Sequence, residues 1–338
     1  MESPNNQYIT FEGVAKMSLY VNCNTGEIVC QEEIELEDGK RDWKKRKRMS
    51  LQVANLMQSY DPERAAAIRG CGTYLEFIRT PDAVQKLHKA NFCRQRLCPM
   101  CQWRRSIKLR AQADQIYKVL EERGFKHVFC TLTVRNCKAE DLQNTVKELY
   151  QAAARFKRTE PYKRAVRGAY RALEITYNAD QDTYHPHFHL LLTVDGTYFY
   201  RQNQDYISHG ELMAAWKRAA RLDYDPRVDL RGIKVKEGQT MTAACAEICK
   251  YPTKSAEIHQ AGVLQTIDYA LRGRRLIEWS GVAADVRREL ALDDIETGNL
   301  VQTTEGDEEI AVEKVVYIWR YGLYIPFDHK LIEEKGTA

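Results

Sequence analysis

The sequence predicts an α+β fold, a central antiparallel sheet flanked by helices, joined to a small cysteine-rich module. Three observations carry that expectation. Strand patterns outnumber one per helix along the chain. Two of them, over 170–177 and 186–194, are separated by a short polar loop and read as a hairpin. No Gly-rich phosphate loop follows any strand, which argues against a P-loop or dinucleotide-binding fold.

The bulk numbers bound the function classes. At 338 residues, 44% hydrophobic and 29% charged, the chain can bury a proper core and divide into more than one domain. No uninterrupted apolar run is long enough to span a bilayer, so no membrane partner is expected. The first residues, Met-Glu-Ser-Pro-Asn-Asn, lack the basic and apolar regions of a secretory signal, and the expected location is the cytoplasm. Ten cysteines there stay as thiols. The net charge of +4 hides an uneven distribution. Residues 40–110 hold 18 Lys/Arg against 5 Asp/Glu, whereas 284–314 hold 3 against 10. A basic excess of that size attracts phosphate through counterion release, whatever the base sequence.

The elements follow in order. Residues 17–36 read as a hairpin turning at Asn24-Thr25-Gly26. A basic, exposed run spans 40–48. Helical pattern covers 49–69 and stops at Gly70. Cysteine-rich loops occupy 70–103. An amphipathic helix runs from Arg104 to Glu122, with Gly124 past its end. A buried strand covers 126–134, a helix 139–157, and the two hairpin strands follow, the second ending at Asp195-Gly196. Ser208 and Glu211 form a capping box for a helix to 221. A strand is expected over 228–235, and a helix over 240–251 that stops before Pro252. Residues 265–292 read as helical, and 315–321 as a final strand. The domain boundaries expected are 1–69 for an N-terminal hairpin and basic helical region, 70–112 for the cysteine-rich module, 113–265 for a central domain, and 266–338 for a C-terminal region without an assigned role.

Two constellations in the central domain carry chemistry. His185-Pro-His187-Phe-His189 places three imidazoles at alternate positions, so on a strand all three project from one face. Histidines at i and i+2, with a carboxylate from a neighbouring strand, make a divalent-metal site that leaves positions open for a phosphodiester. Glu174 is the carboxylate that the hairpin brings alongside. His187 and His189, flanking Phe188, are the favoured pair, with His185 as a third candidate. Sixty residues on, Glu247, Lys250 and Tyr251 sit at i, i+3 and i+4, which share a helix face. A tyrosine hydroxyl near pKa 10 is a poor nucleophile until a metal or an ammonium such as Lys250 stabilises its phenolate. Glu247 suits activation of a water at the same phosphate. Metal plus positioned tyrosine is what cutting and rejoining of DNA by transesterification needs.

The third constellation is Cys93-x4-Cys98-Pro-Met-Cys101. Cys98-x2-Cys101 is a half-site for structural Zn²⁺, with Cys93 and Cys71 as the remaining ligands and His88 in reserve. It runs into Arg104, Arg105, Lys108 and Arg110, a basic helix suited to DNA-backbone contact. Lys254, beyond the Glu-Lys-Tyr segment, is a further DNA-contact candidate. Thr131 and Thr133 share a strand face and either line the site or fill the core.

In the order Phe129-x-Thr-Leu-Thr-Val134, His185-Pro-His-Phe-His189 and Glu247-x-x-Lys-Tyr251, the chain resembles the three motifs of HUH endonucleases. More narrowly it resembles the replication initiators of rolling-circle plasmids from Gram-positive bacteria, whose cysteine-rich region is similar to 91–106. The resemblance spans about 70–255. It implies the HUH fold with its site on an antiparallel sheet, metal ligation by His187 and His189, Tyr251 as nucleophile, and Glu247 as the hydrolytic carboxylate. It implies a metal-dependent nickase and strand transferase that cuts one strand at the plasmid's double-strand origin. The enzyme stays on the 5′ end as a phosphotyrosine, leaves a 3′-OH for host polymerase, and later cleaves and rejoins to release a single-stranded circle. Mg²⁺ and Mn²⁺ both suit the catalytic ligand set, and Zn²⁺ the cysteines. Expected partners are origin DNA, single-stranded or supercoiled, with host helicase and polymerase. The acidic C-terminal part is a candidate helicase dock or homodimer surface. A single-tyrosine HUH transposase or relaxase, and a non-enzymatic zinc-dependent DNA-binding regulator, are the alternatives.

Overall fold

The computed structural model describes residues 19–21, 28–30, 43–79, 81, 85–200, 203–234, 241, 258–301 and 311–327. Among them the chain begins with β1 (Leu19–Val21), β2 (Ile28–Cys30), α1 (Trp43–Met57), α2 (Pro62–Gly70), β3 (Tyr74–Arg79) and β4 (Gln85–Ala90). It continues through α3 (Pro99–Glu122), β5 (Lys126–Thr133), α4 (Leu142–Phe156), α5 (Glu160–Ala165), β6 (Val166–Asn178) and β7 (Thr183–Val194). Then come α6 (His209–Ala220), β8 (Val228–Gly232), α7 (Ala261–Leu271), β9 (Ile277–Gly281), α8 (Val282–Glu289), β10 (Glu313–Arg320) and β11 (Leu323–Phe327). The class is α+β with antiparallel sheets, as expected. No described helix is long and apolar enough to cross a membrane.

The chain forms two compact units, one of Met1–Met49, Gly70–Cys93 and Val301–Ala338, the other of Ser50–Arg69 and Arg94–Leu300. The first holds the β1–β2 hairpin and a sheet ordered β11-β10-β3-β4. Here the structure corrects two expectations. Residues 70–103 are not all loop, because β3 pairs antiparallel with β10 from the far end of the chain. Such a long-range partner leaves no local mark in the sequence. The run at 40–48 is not a uniformly exposed segment either. From Trp43 it is helix, and Trp43 and Lys47, at i and i+4, both turn inward. Trp43 meets Phe77 edge-on at 5.7 Å. The Lys47 ammonium, fully buried, donates to the Cys71 carbonyl at 2.6 Å.

The second unit is built on a five-stranded sheet ordered β8-β5-β7-β6-β9, all neighbours antiparallel. The expected hairpin is β6–β7, and the capping box of α6 is present, Ser208 Oγ accepting from Glu211 N–H and Glu211 from Ser208 N–H. The single helix expected over 49–69 is two, divided ahead of Pro62, which fits a first helical turn and no later one. The helix expected over 265–292 is interrupted by β9, which adds to the edge of β6. Gly281 makes the exit turn at φ 55°, where an added Cβ would lie 2.1 Å from the Arg167 carbonyl. The helix expected over 240–251 lies outside the described residues apart from Met241.

Strand β7 is the middle of this sheet, and its two faces do different work. Phe188 is fully buried on one face, edge-on to Tyr150 of α4 at 5.2 Å and under the Arg171 guanidinium at 4.5 Å. The opposite face is covered by α3 near the C-terminal half of β7. There Tyr117 packs on His127 and on Trp279, and Trp279 packs on Tyr170. Burial pushes the His127 imidazolium down to about 3, so this histidine is a neutral core residue. The N-terminal half of the same face carries the three histidines. Truncating Phe188→Ala removes the plug behind them. Urea unfolding is expected to show a loss of about 3–5 kcal/mol; a loss near zero would mean that α4 does not anchor the sheet through this ring.

Candidate metal centre

Antiparallel register assembles the centre. His187 stands opposite Glu174 of β6 and Thr133 of β5, and His189 opposite Ala172 and Thr131. Paired residues share a sheet face, so one face presents Glu174, His187, His189, Thr131 and Thr133 together. Glu174 Oε2 lies 3.0 Å from His189 Nε2 and 3.8 Å from His187 Nε2. The two Nε2 atoms are 3.1 Å apart. An ion about 2.1 Å from each ligand holds neighbouring ligands about 3.0 Å apart, close to two of these edges, with the Glu174–His187 edge longer at 3.8 Å.

The tautomers support the same conclusion. His187 Nδ1 donates to the His185 carbonyl at 3.0 Å. A carbonyl only accepts, so Nδ1 carries the proton and Nε2 keeps its lone pair. His189 Nδ1 bonds Thr131 Oγ1 at 3.3 Å; with Nδ1–H as donor, its Nε2 is also a base. In that tautomer two lone pairs and a carboxylate oxygen converge, an arrangement that a cation stabilises; in the other, His189 Nε2–H donates to Glu174 Oε2 at 3.0 Å. Burial, reinforced by the neighbouring His189, pulls His187 down to about 4, which keeps it in the neutral, ligating form at neutral pH.

Of the expected ligands, Glu174, His187 and His189 come together as one cluster. The His185 ring lies outside it, tilted against His187 at 4.9 Å between centroids, and its backbone carbonyl orients His187. Thr131 lines the site through His189, whereas Thr133 Oγ1 donates to the Arg227 carbonyl at 2.6 Å. Phe129 belongs to the buried strand expected over 126–134 and opens the first of the three family-like motifs. Its ring stacks on His189 at 5.6 Å and carries the Arg231 guanidinium on its own ring at 5.1 Å. The alternation Phe129, Thr131, Thr133 was the available signal. Glu247, Lys250, Tyr251 and Lys254 lie outside the described residues.

The cysteines are placed unit by unit. In the smaller unit, Cys93 N–H donates to Cys71 Sγ at 3.4 Å. In the larger unit, Cys98 is the N-cap of α3 and Cys101 lies in its first turn, both buried. Among the basic residues that follow, only Arg110 is exposed. Arg104 is buried and donates to the Leu300 carbonyl at 2.9 Å. Arg105, also buried, donates to the carbonyls of Arg94, Gln95 and Glu296. Lys108 joins Asp293 and the Asn299 carbonyl. These three side chains therefore anchor loops of their own unit. Part of the acidic C-terminal excess is spent in the same way, with Asp294 on Arg275 and Arg287, and Glu289 on Arg123.

Comparison with known proteins adds the context. A family model described as "Replication protein" matches residues 84–324. "Protein rep" of Bacillus amyloliquefaciens is 36% identical over 317 residues, covering 84% of this chain and 93% of that protein. "Protein rep" of Streptococcus pneumoniae serotype 2 is 33% identical over 300 residues, covering 86% and 93%. "Protein rep" of Lactiplantibacillus plantarum is 34% identical over 308 residues, covering 86% and 96%. No solved structure matches.

The partner of a ligating histidine fixes its orientation and basicity, and losing it typically weakens a metal about 10–100-fold. Thr131→Val is expected to lower Mn²⁺ affinity in titration calorimetry by that factor, with the fold intact by circular dichroism. Unchanged affinity would remove Thr131 and His189 from the metal centre.

Proposed function

Because this chain belongs to the replication-protein family of Gram-positive bacteria, the rolling-circle plasmid initiators, we propose that it starts replication by nicking one strand of plasmid origin DNA at Tyr251. The observation that carries this reading is the convergence of Glu174, His187 and His189 on one sheet face. Those three residues would hold Mg²⁺ or Mn²⁺. Bound there, such an ion would supply Lewis acidity at a non-bridging phosphate oxygen and would offset charge on the attacking and leaving groups. The phenol of Tyr251 gives up its proton to water, and its oxygen bonds to phosphorus while the bond to the 3′ oxygen breaks. That oxygen takes up a proton and becomes the free 3′-OH, and the 5′ phosphate stays on the tyrosine. Lys250 stabilises the developing phenolate.

Because the phosphotyrosine keeps the energy of the broken bond, the 3′-OH of a completed strand can reverse the step and rejoin. Glu247, one helical turn before Tyr251 in the expected helix, suits activation of a water that hydrolyses the adduct and ends the cycle. The free 3′-OH suits a host polymerase, and strand separation calls for a host helicase. A homodimer contact is proposed on the acidic part of the C-terminal region. Membership in a replication-protein family favours the initiator over a transposase, a relaxase or a regulator.

We also propose that Cys71, Cys93, Cys98 and Cys101 bind one structural Zn²⁺. Sequence spacing, the N–H···S bond from Cys93 to Cys71 and the helix-terminus position of Cys98 and Cys101 support it. Metal analysis of purified protein is expected to find one zinc per chain, lost in Cys98→Ser/Cys101→Ser. Zinc retained in that variant would contradict it.

Nicking itself is tested on supercoiled DNA carrying the origin, with Mn²⁺ or Mg²⁺. Wild type is expected to give nicked circles with protein on the 5′ end, and Tyr251→Phe neither. Nicking that survives the substitution would place the nucleophile elsewhere. No nicking with either metal, together with zinc-dependent binding, would favour a regulator.

A further inference from the structure

The larger unit holds a cavity of ≈ 320 Å³. Its walls carry five arginines, Arg64, Arg94, Arg96, Arg105 and Arg272, against two carboxylates, Asp268 and Glu296. Both carboxylates are already committed. Asp268 takes Arg64 in a bidentate pair at 2.6 and 3.0 Å. Glu296 accepts the Leu276 N–H at 2.9 Å and faces Arg96 at 3.4 Å. Arg94 is exposed and spends one N–H on the Thr297 carbonyl at 3.3 Å. Arg272 reaches Asp268 only at 4.0 Å and lies over the Tyr269 ring.

The backbone is set the same way. The carbonyls of Arg94 and Gln95 turn toward Arg105 of α3, and that of Arg96 toward Gln102. Acceptors of this segment are thus consumed on the helix side. Holding the Arg94 carbonyl there accompanies φ 57° at that residue, a conformation uncommon outside glycine. Concave walls with excess positive charge focus the field on an anion, and guanidinium forks match phosphate oxygens two at a time.

We propose that this cavity binds phosphate, supplied by the backbone of a nucleic-acid strand, with Arg94 and Arg272 as its contacts. The nucleic-acid source rests on the nicking function above; the phosphate chemistry does not. The sequence had pointed to Arg104, Arg105 and Lys108 for backbone contact. In the structure their donors serve protein loops, and the proposed contact passes to Arg94 and Arg272, which line the cavity.

The test uses the full chain and a short duplex of arbitrary sequence, with binding followed by fluorescence anisotropy between about 50 and 200 mM KCl. Each phosphate contact contributes about 0.9 to the slope of log affinity against log salt. Arg94→Ala/Arg272→Ala is expected to reduce the slope by about 1.8, while the exposed pair Lys118→Ala/Lys147→Ala leaves it unchanged. An unchanged slope, with inorganic phosphate raising the Tm of wild type but not of the arginine variant, keeps the phosphate site and assigns it to a free phosphate compound. An unchanged slope without that Tm difference overturns the proposal. So does an equal fall in the lysine control, which would make the effect one of general surface charge. Circular dichroism checks that both variants fold. Nicking is measured separately, so this site and Tyr251 can fail independently.

Discussion

The register between β5, β7 and β6 is the constraint on which the rest depends. Side chains alternate on a strand with period two, so a slip of one residue would turn His187 and His189 to the α4 face and put Phe188 in the site. Four pairings hold the register at once. Leu132 and Leu173 both stand opposite Phe188, on the apolar face. Thr133 and Glu174 both stand opposite His187, on the polar end of the other face. The apolar face therefore fixes the metal face. Burial of Phe188, Leu190 and Leu192 on one side sets which nitrogens meet on the other.

The site face is divided by what covers it. Toward one end it is sealed by α3, whose Tyr117 closes over His127 and Trp279. Toward the other end it presents hydrogen-bonding groups. A histidine in the half under α3 and a histidine in the other half thus have different fates. His127 is a neutral core side chain, held near Thr193 at 3.4 Å. His187 is neutral as well, because of burial, but its lone pair faces a carboxylate and a second imidazole. Neutrality serves packing in one case and leaves a lone pair facing a carboxylate and an imidazole in the other.

Much of the site was legible in the sequence because it is local. The alternation of His185, His187 and His189 identified the strand and its face, and the short hairpin brought Glu174 alongside. What escaped depended on distant partners. Strand β3 pairs with β10, and β9 with β6, and neither pairing leaves a nearby turn signal. The engagement of Arg104, Arg105 and Lys108 with protein loops escaped for the same reason. A basic run looks solvated until the carbonyls and carboxylates of 293–300 fold back onto it. Charge excess in one stretch and its opposite in another are partly each other's counterions, which summed composition conceals. His185 shows the finer limit: alternation put it on the right face, but only three dimensions separate a member of the Glu174–His187–His189 cluster from the residue whose carbonyl orients His187.

The most direct test of the account is pulsed electron paramagnetic resonance of Mn²⁺ bound to the full chain. It predicts couplings to two imidazole nitrogens, one of them lost in each of His187→Ala and His189→Ala and both kept in His185→Ala. A spectrum without nitrogen coupling, or one in which His185→Ala removes a nitrogen that His187→Ala leaves in place, would contradict the assembly of the metal centre from Glu174, His187 and His189.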